Sequence, residues 1–192
     1  MKTKPFFYFL VLMLVSLASP TFAQEKFMPT EPKEPMIFTQ GKGYFATIKT
    51  NKGTVECKLA TKEAPYSVTN FVQLARGGYY KGLSFHRYVK DFVIQGGDPT
   101  GTGTGGPGYT VVGETTNGLK HTAGALAWAR TGDGVNPQRR SSGSQFYITL
   151  KDTPFLDNQY TVFGYVTKGM DVVLQLREKD TIQDVTIDER DE

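Results

Sequence analysis

A mainly β domain, an antiparallel barrel closed on itself and capped by helices, is the fold this sequence predicts. Three observations predict it. Short β-rich runs recur from Tyr44 almost to the end of the chain. Only two stretches switch to a helical period, one early and one late. Turn-forming Gly, Pro and Asn punctuate the runs. Many short strands with two helices at the margins suit a closed barrel, and closure also removes exposed strand edges.

The chain opens "MKTKPFFYFLVLMLVSLASPTFAQ". Lys2 and Lys4 precede an apolar run from Phe6 to Ala18, Pro20 breaks it, and the small residues Thr21 and Ala23 alternate before Gln24. That order predicts a signal peptide over residues 1–23, cleaved after Ala23, because the run is too short for a typical membrane-spanning helix. No Cys lies near the cut, so a lipid-modified terminus is not expected. The product is then exported, to a periplasm or to the outside. Residues 24–40 carry Pro29, Pro32 and Pro35 without periodicity and read as a flexible tether. The domain is expected over residues 41–192.

"YFATIKTNKGTVECKL" reads as two strands joined through Asn51-Lys52-Gly53, a hairpin signal. In "APYSVTNFVQLARGG" the period changes. Val68, Phe71, Val72 and Ala75 form one helical face, Pro65 suits the first turn, and Gly77-Gly78 suits the stop. Strands follow at "SFHRYV", "DFVIQ", "GALAWA", "SQFYITL" and "YTVFGYV", then a second helix at "GMDVVLQLREK" and a last strand at "QDVTIDE".

Charge and cysteine usage exclude whole classes of function. The chain holds 22 Lys+Arg and 19 Asp+Glu, so losing Lys2 and Lys4 with the leader leaves 20 against 19, near +1. No basic footprint for nucleic acid and no polybasic membrane patch is present. Cys57 is the single cysteine, so no disulfide within the chain and no cysteine-rich metal site can form. In "TVECKL" it alternates onto the apolar face with Val55 and Leu59, a buried and inert position.

Gly101, Gly103 and Gly106 spell G-x-G-x-x-G, the spacing of a dinucleotide loop. That loop works by delivering a pyrophosphate to the start of a following helix. Here Pro107, Gly108 and β-rich "YTVV" follow instead, so the glycines predict a surface loop with unusual backbone angles and no cofactor. His86 and His121 lack metal-motif spacing and a third ligand, and "SSGSQF" lacks the flanking pattern of a serine nucleophile. Trp128, alternating with Leu126, belongs to the core.

The residues that do form a pattern are "NFVQLARGGYYKGLSFHRYVKDFVIQGGDPTGTGTGGPG", "GALAWAR", "SSGSQFYITL" and "FLDNQYTVFGYVTKGMDVV". In order and spacing, from about Tyr44 to Glu189, they resemble the cyclophilin-type peptidyl-prolyl cis-trans isomerases. The resemblance implies an eight-stranded antiparallel barrel with two capping helices, acting on proline-containing polypeptide segments. A monomer is expected. It makes Arg87 the catalytic residue. Phe92, Val93, Tyr147 and Leu156 would line the proline pocket, and Gln95 and Gln145 would support Arg87 and the peptide. Ala129 and Arg130 would border the groove through their backbone, and His86 and Tyr160 would complete the rim. Period two independently sets Gln145 and Tyr147 on one face of "SQFYITL" and Phe146, Ile148 and Leu150 on the other.

Such chemistry needs no acid, base, metal or nucleophile. Rotation about an Xaa-Pro bond is opposed by amide resonance, a barrier of about 18–20 kcal/mol. At half-rotation the proline nitrogen regains its lone pair, which a guanidinium can hydrogen-bond. The sequence departs from the family pattern at Phe155 (commonly Trp), Tyr147 (Phe), Tyr160 (His) and Val93 (Met). The Tyr147 hydroxyl is expected to point to the pocket rim. "RTGDGVNPQRR", between Arg130 and Ser141, is longer than the usual connection and reads as a groove-side loop.

Overall fold

The computed structural model describes Phe27 and residues 29–191, so the signal peptide expected over 1–23 lies outside the described residues. Ten strands, two α-helices and one 3-10 turn follow one another along the domain. β1 (Lys42–Thr50) and β2 (Gly53–Leu59) form the expected hairpin, paired from Tyr44↔Leu59 to Thr50↔Gly53. β3 (Arg87–Val89) and β4 (Val93–Gly96) form a second. β6 (Ala125–Trp128), β8 (Phe146–Thr149) and β9 (Val162–Lys168) supply the middle of the sheet, and β10 (Ile182–Asp191) runs along β1. Two short strands, β5 (Thr110–Val111) and β7 (Ser141–Ser142), pair only with each other.

The main sheet has eight strands in the order β10-β1-β2-β9-β6-β8-β4-β3, all neighbours antiparallel. The expected closed barrel needs correction, because β3 and β10 lie at opposite ends of this order and the strand ladder does not close. The seam is crossed by irregular chain instead. Phe85 N–H donates to Asp180 O (2.8 Å), Lys179 N–H to Phe85 O (2.9 Å), and Ser84 makes a single bridge with Thr181. This explains why "SFHRYV" yields only a three-residue strand: its first half is committed to the seam.

α1 (Pro65–Arg76) buries Val68, Phe71, Val72 and Ala75, the face that the helical period predicts. Phe71 sits against Tyr80, Trp128, Phe146 and Phe163, with ring centroids 5.2–6.1 Å apart. Burying each such ring contributes about 1.5–3 kcal/mol. The helix stops in a Schellman motif. Tyr79 N–H reaches Leu74 O, Gly78 N–H reaches Ala75 O, and Gly78 takes the left-handed conformation (φ 70°) that lacks strain only in glycine. Its start has no local side-chain cap; the Glu114 carboxylate, from 47 residues downstream, accepts Tyr66 N–H and Ser67 N–H.

α2 (Met170–Gln175) is shorter than "GMDVVLQLREK" predicts. The Asp180 carboxylate captures Arg177 N–H (2.8 Å), and Leu176 turns extended, so the chain leaves the helix early. Cys57 is buried as expected, and burial pushes its thiol up to about 12.

The sheet has two apolar faces. One, with Trp128, Phe146, Ile148 and Leu126, forms the main core under both helices. The other gathers Val93, Ala125, Ala127, Tyr147, Leu156 and Val162, flanked by Phe92, Ala129 and Tyr160. The candidate site lies on that second face.

Candidate active site

Antiparallel pairing across β3, β4 and β8 sets three polar side chains in a row, because Arg87 registers with Gln95 and Gln95 with Tyr147, two residues beyond Gln145 and on the same face. Arg87 Nη1 donates to Gln95 Oε1 (3.2 Å), and Gln95 Nε2 donates to Gln145 Oε1 (3.0 Å). Gln145 Nε2 then donates to Gly103 O (3.0 Å) and Gly105 O (2.8 Å). The exposed guanidinium is thereby tied, through two amides, to the glycine loop. Its Cζ also lies 5.8 Å from the Phe92 ring centroid.

What shapes the loop is Asp98, a residue the sequence reading passed over. Its carboxylate is 1% exposed and accepts N–H groups from Thr100, Thr102, Gly103 and Gly105 at 2.6–3.1 Å, and the Thr100 hydroxyl at 2.8 Å. Burial alone would raise its pKa; the hydrogen bonds outweigh it and hold the group at about 2. At Gly105 a Cβ would lie 2.1 Å from Asp98 Oδ1, so only glycine permits the wrap. An Asp ahead of alternating Thr and Gly is a signal for such side-chain-to-backbone turns, legible in "DPTGTGTGG".

Beside this row a cavity of about 170 Å³ is lined by Arg87, Phe92, Val93, Gln95, Ala129, Arg130, Tyr147, Leu156 and Tyr160. Nine of the eleven expected residues are therefore together. Gln145 instead lines an adjoining groove of about 710 Å³, which runs over Gly103–Gly106 and Tyr109 to Thr131 and Arg140. His86, expected at the rim, lines neither; its ring faces Gly103 behind the loop. Burial lowers the pKa of His86, with Asp98 opposing.

The cavity walls are braced from outside. Arg130 lies over the Tyr160 ring (4.8 Å to the centroid), donates from Nε to Gln159 O (2.7 Å), and pairs with Asp133 (2.7 Å). Phe155, beside Leu156 in the 3-10 turn Pro154–Leu156, is 69% exposed and stacks on Phe92 (5.7 Å). Tyr147 corrects the expectation for its hydroxyl. It points away from the rim, to the buried ring of His121.

The long 131–140 loop is pinned by its own polar groups. Arg139 binds Asp133 and Asn158 O, and Asn136 brackets Arg140. Arg140 in turn donates to Thr110 and to Glu31, which lies in the 24–40 segment. That segment also touches α1, where Met36 N–H donates to Thr69 Oγ1 (2.9 Å).

Comparison with known proteins places this geometry. The family model described as cyclophilin type peptidyl-prolyl cis-trans isomerase/CLD matches residues 45–191. A peptidyl-prolyl cis-trans isomerase of Helicobacter pylori is 45% identical over 144 residues, covering 73% of this chain and 85% of its own. Peptidyl-prolyl cis-trans isomerase B of Bacillus subtilis is 43% identical over 147 residues, covering 76% and 97%. Among solved structures, a Cryptosporidium parvum cyclophilin type peptidyl-prolyl cis-trans isomerase superposes with TM-score 0.70 at 33% identity, covering 77% of this chain and 99% of that one. The chain belongs to the cyclophilin-type peptidyl-prolyl cis-trans isomerases.

Proposed function

We propose that this isomerase works through Arg87 on proline-containing segments of exported proteins, accelerating the proline-limited steps of their folding, and that it does so as a monomer. The observation that carries the reading is the Arg87 guanidinium, held by Gln95 and lining a cavity of about 170 Å³ whose other walls include Phe92, Val93, Tyr147 and Leu156. Supporting it, the C. parvum relative has been crystallised in the presence of the dipeptide Ala-Pro.

In this mechanism the proline ring enters between Phe92, Val93, Leu156 and Tyr147, which excludes water from one side of the amide. Planar amide and twisted amide differ in polarity and in the availability of the nitrogen lone pair. The apolar walls favour the less polar twisted form. Arg87 donates to the emerging lone pair, an interaction absent from the planar ground state, so it lowers the barrier rather than only tightening binding. A hydrogen bond to a charged group is worth about 1.5–3 kcal/mol net, enough for about one to two decades of rate. Further acceleration comes from pre-organisation, since the Gln95–Gln145–loop chain fixes the guanidinium before substrate arrives. A peptide running past the pocket would lie in the adjoining groove, against the Ala129 and Arg130 backbone.

Export rests on the charged start, apolar run and small-residue cleavage pattern of residues 1–23. The test has two parts. The mature chain should speed cis-trans exchange of a short Xaa-Pro peptide, and N-terminal sequencing of the protein recovered outside the cytoplasm should begin at Gln24. Peptide binding without turnover would make it a binding module instead; an uncleaved product in the cytoplasm would end the export proposal.

A further inference from the structure

We propose that His121 and Asp157 are positioning residues for the proline pocket: they hold the Tyr147 hydroxyl on the buried side, so that the ring face alone meets the proline. The inference rests on reading the 170 Å³ cavity as the proline site.

Three groups from separate segments form one chain of contacts. Tyr147, on β8, is the floor of the cavity and only 4% exposed. Its hydroxyl lies 3.0 Å from His121 Nε2, and His121 Nδ1 lies 3.0 Å from Asp157 Oδ1. The same carboxylate oxygen accepts His121 N–H (2.8 Å), and Lys120 Nζ stands 3.5 Å from the other. The His121 ring lies nearly parallel to Tyr147, 18° between planes. Asp157 directly follows Leu156, the cavity wall, and its own N–H returns to Pro154 O (3.1 Å). Floor and wall are thus coupled through one imidazole.

The chemistry fixes the direction of each bond. Burial lowers the pKa of His121 against the opposing pull of Asp157, so the ring is neutral at neutral pH. A carboxylate can only accept, so Nδ1 carries the proton and Nε2 is left as an acceptor. The Tyr147 O–H is the donor that matches it. A phenol without that partner keeps an unsatisfied buried hydroxyl, which is drawn toward the solvent-accessible pocket that its ring already lines. There it would place a polar group against an apolar ring.

The experiment is a double-mutant cycle on Xaa-Pro peptide turnover, using His121→Ala and His121→Gln, each with Tyr147 and with Tyr147→Phe. With the hydroxyl present, His121→Ala is expected to raise KM on the order of tenfold with little change in kcat. In the Tyr147→Phe background the same change should move KM less than twofold, because no hydroxyl remains to be misplaced. His121→Gln, whose amide can still accept from Tyr147, should restore most of the loss and also serves if His121→Ala fails to fold. An equal KM rise in both backgrounds, or no rise in either, overturns the inference by making His121 structural only. An inactive wild-type chain would instead strike the isomerase reading beneath it.

Discussion

Replacing Asp98 with Asn keeps the shape of the side chain and removes its charge, which isolates what that charge does. One carboxylate accepts four backbone N–H groups and one hydroxyl, and an amide nitrogen facing the same donors would repel them. The size of the effect follows from linkage. The group is 1% exposed, so no discount for solvent screening applies, and its pKa falls from 3.8 to about 2. At 1.36 kcal/mol per unit, that depression corresponds to about 2–3 kcal/mol of stability. Because the folded pKa is the lower one, this stability is fully present above pH 4–5 and is lost as pH falls toward 2. Roughly half is gone by pH 3. Urea denaturation of wild type and Asp98→Asn should therefore show a gap of about 2–3 kcal/mol at pH 7 that shrinks by about 1 kcal/mol at pH 3. A gap that is the same at both pH values, or absent at pH 7, would refute the idea that the charge organises the loop.

The chain of amides behind Arg87 makes a second prediction. Gln145→Ala, which breaks the link between Gln95 and the loop carbonyls, should lower kcat/KM on the order of tenfold in the peptide assay while leaving the fold intact by circular dichroism. The remote cap of α1 makes a third. Glu114→Ala should destabilise the domain by about 1 kcal/mol in thermal or urea unfolding, as loss of a helix cap does. A fourth concerns Cys57: with its thiol buried and pushed up to about 12, it should not react with a thiol reagent until urea unfolds the chain.

The strand and helix pattern was legible because it is local. Tyr44, Ala46 and Ile48 alternate along β1, and Val68, Phe71, Val72 and Ala75 stripe α1, as burial periodicity requires. What local pattern could not carry was contact between distant segments. The seam of Phe85 with Asp180 and Lys179 shortens β3 and leaves the strand ladder open, and no run of residues signals it. The Asp180 carboxylate that ends α2 reaches Arg177 locally, but its other oxygen is held by Asn51, 129 residues away. In the site, the residue set came from family resemblance, and the structure gathers most of it around one cavity. Most supports behind that set were missed because their partners are remote: His121, Asp157 and Glu114 act through hydrogen bonds to groups 26 to 48 residues away in sequence. Asp98 differs, since its partners lie within seven residues and its turn signal is local.

The most direct test of the account is one measurement: kcat/KM for a short Xaa-Pro peptide by the mature chain, wild type against Arg87→Ala, with peptide affinity measured in parallel. If Arg87 acts on the twisted amide, kcat and kcat/KM fall together by about 10- to 100-fold, while affinity for the peptide changes little. Turnover by Arg87→Ala within twofold of wild type would contradict it.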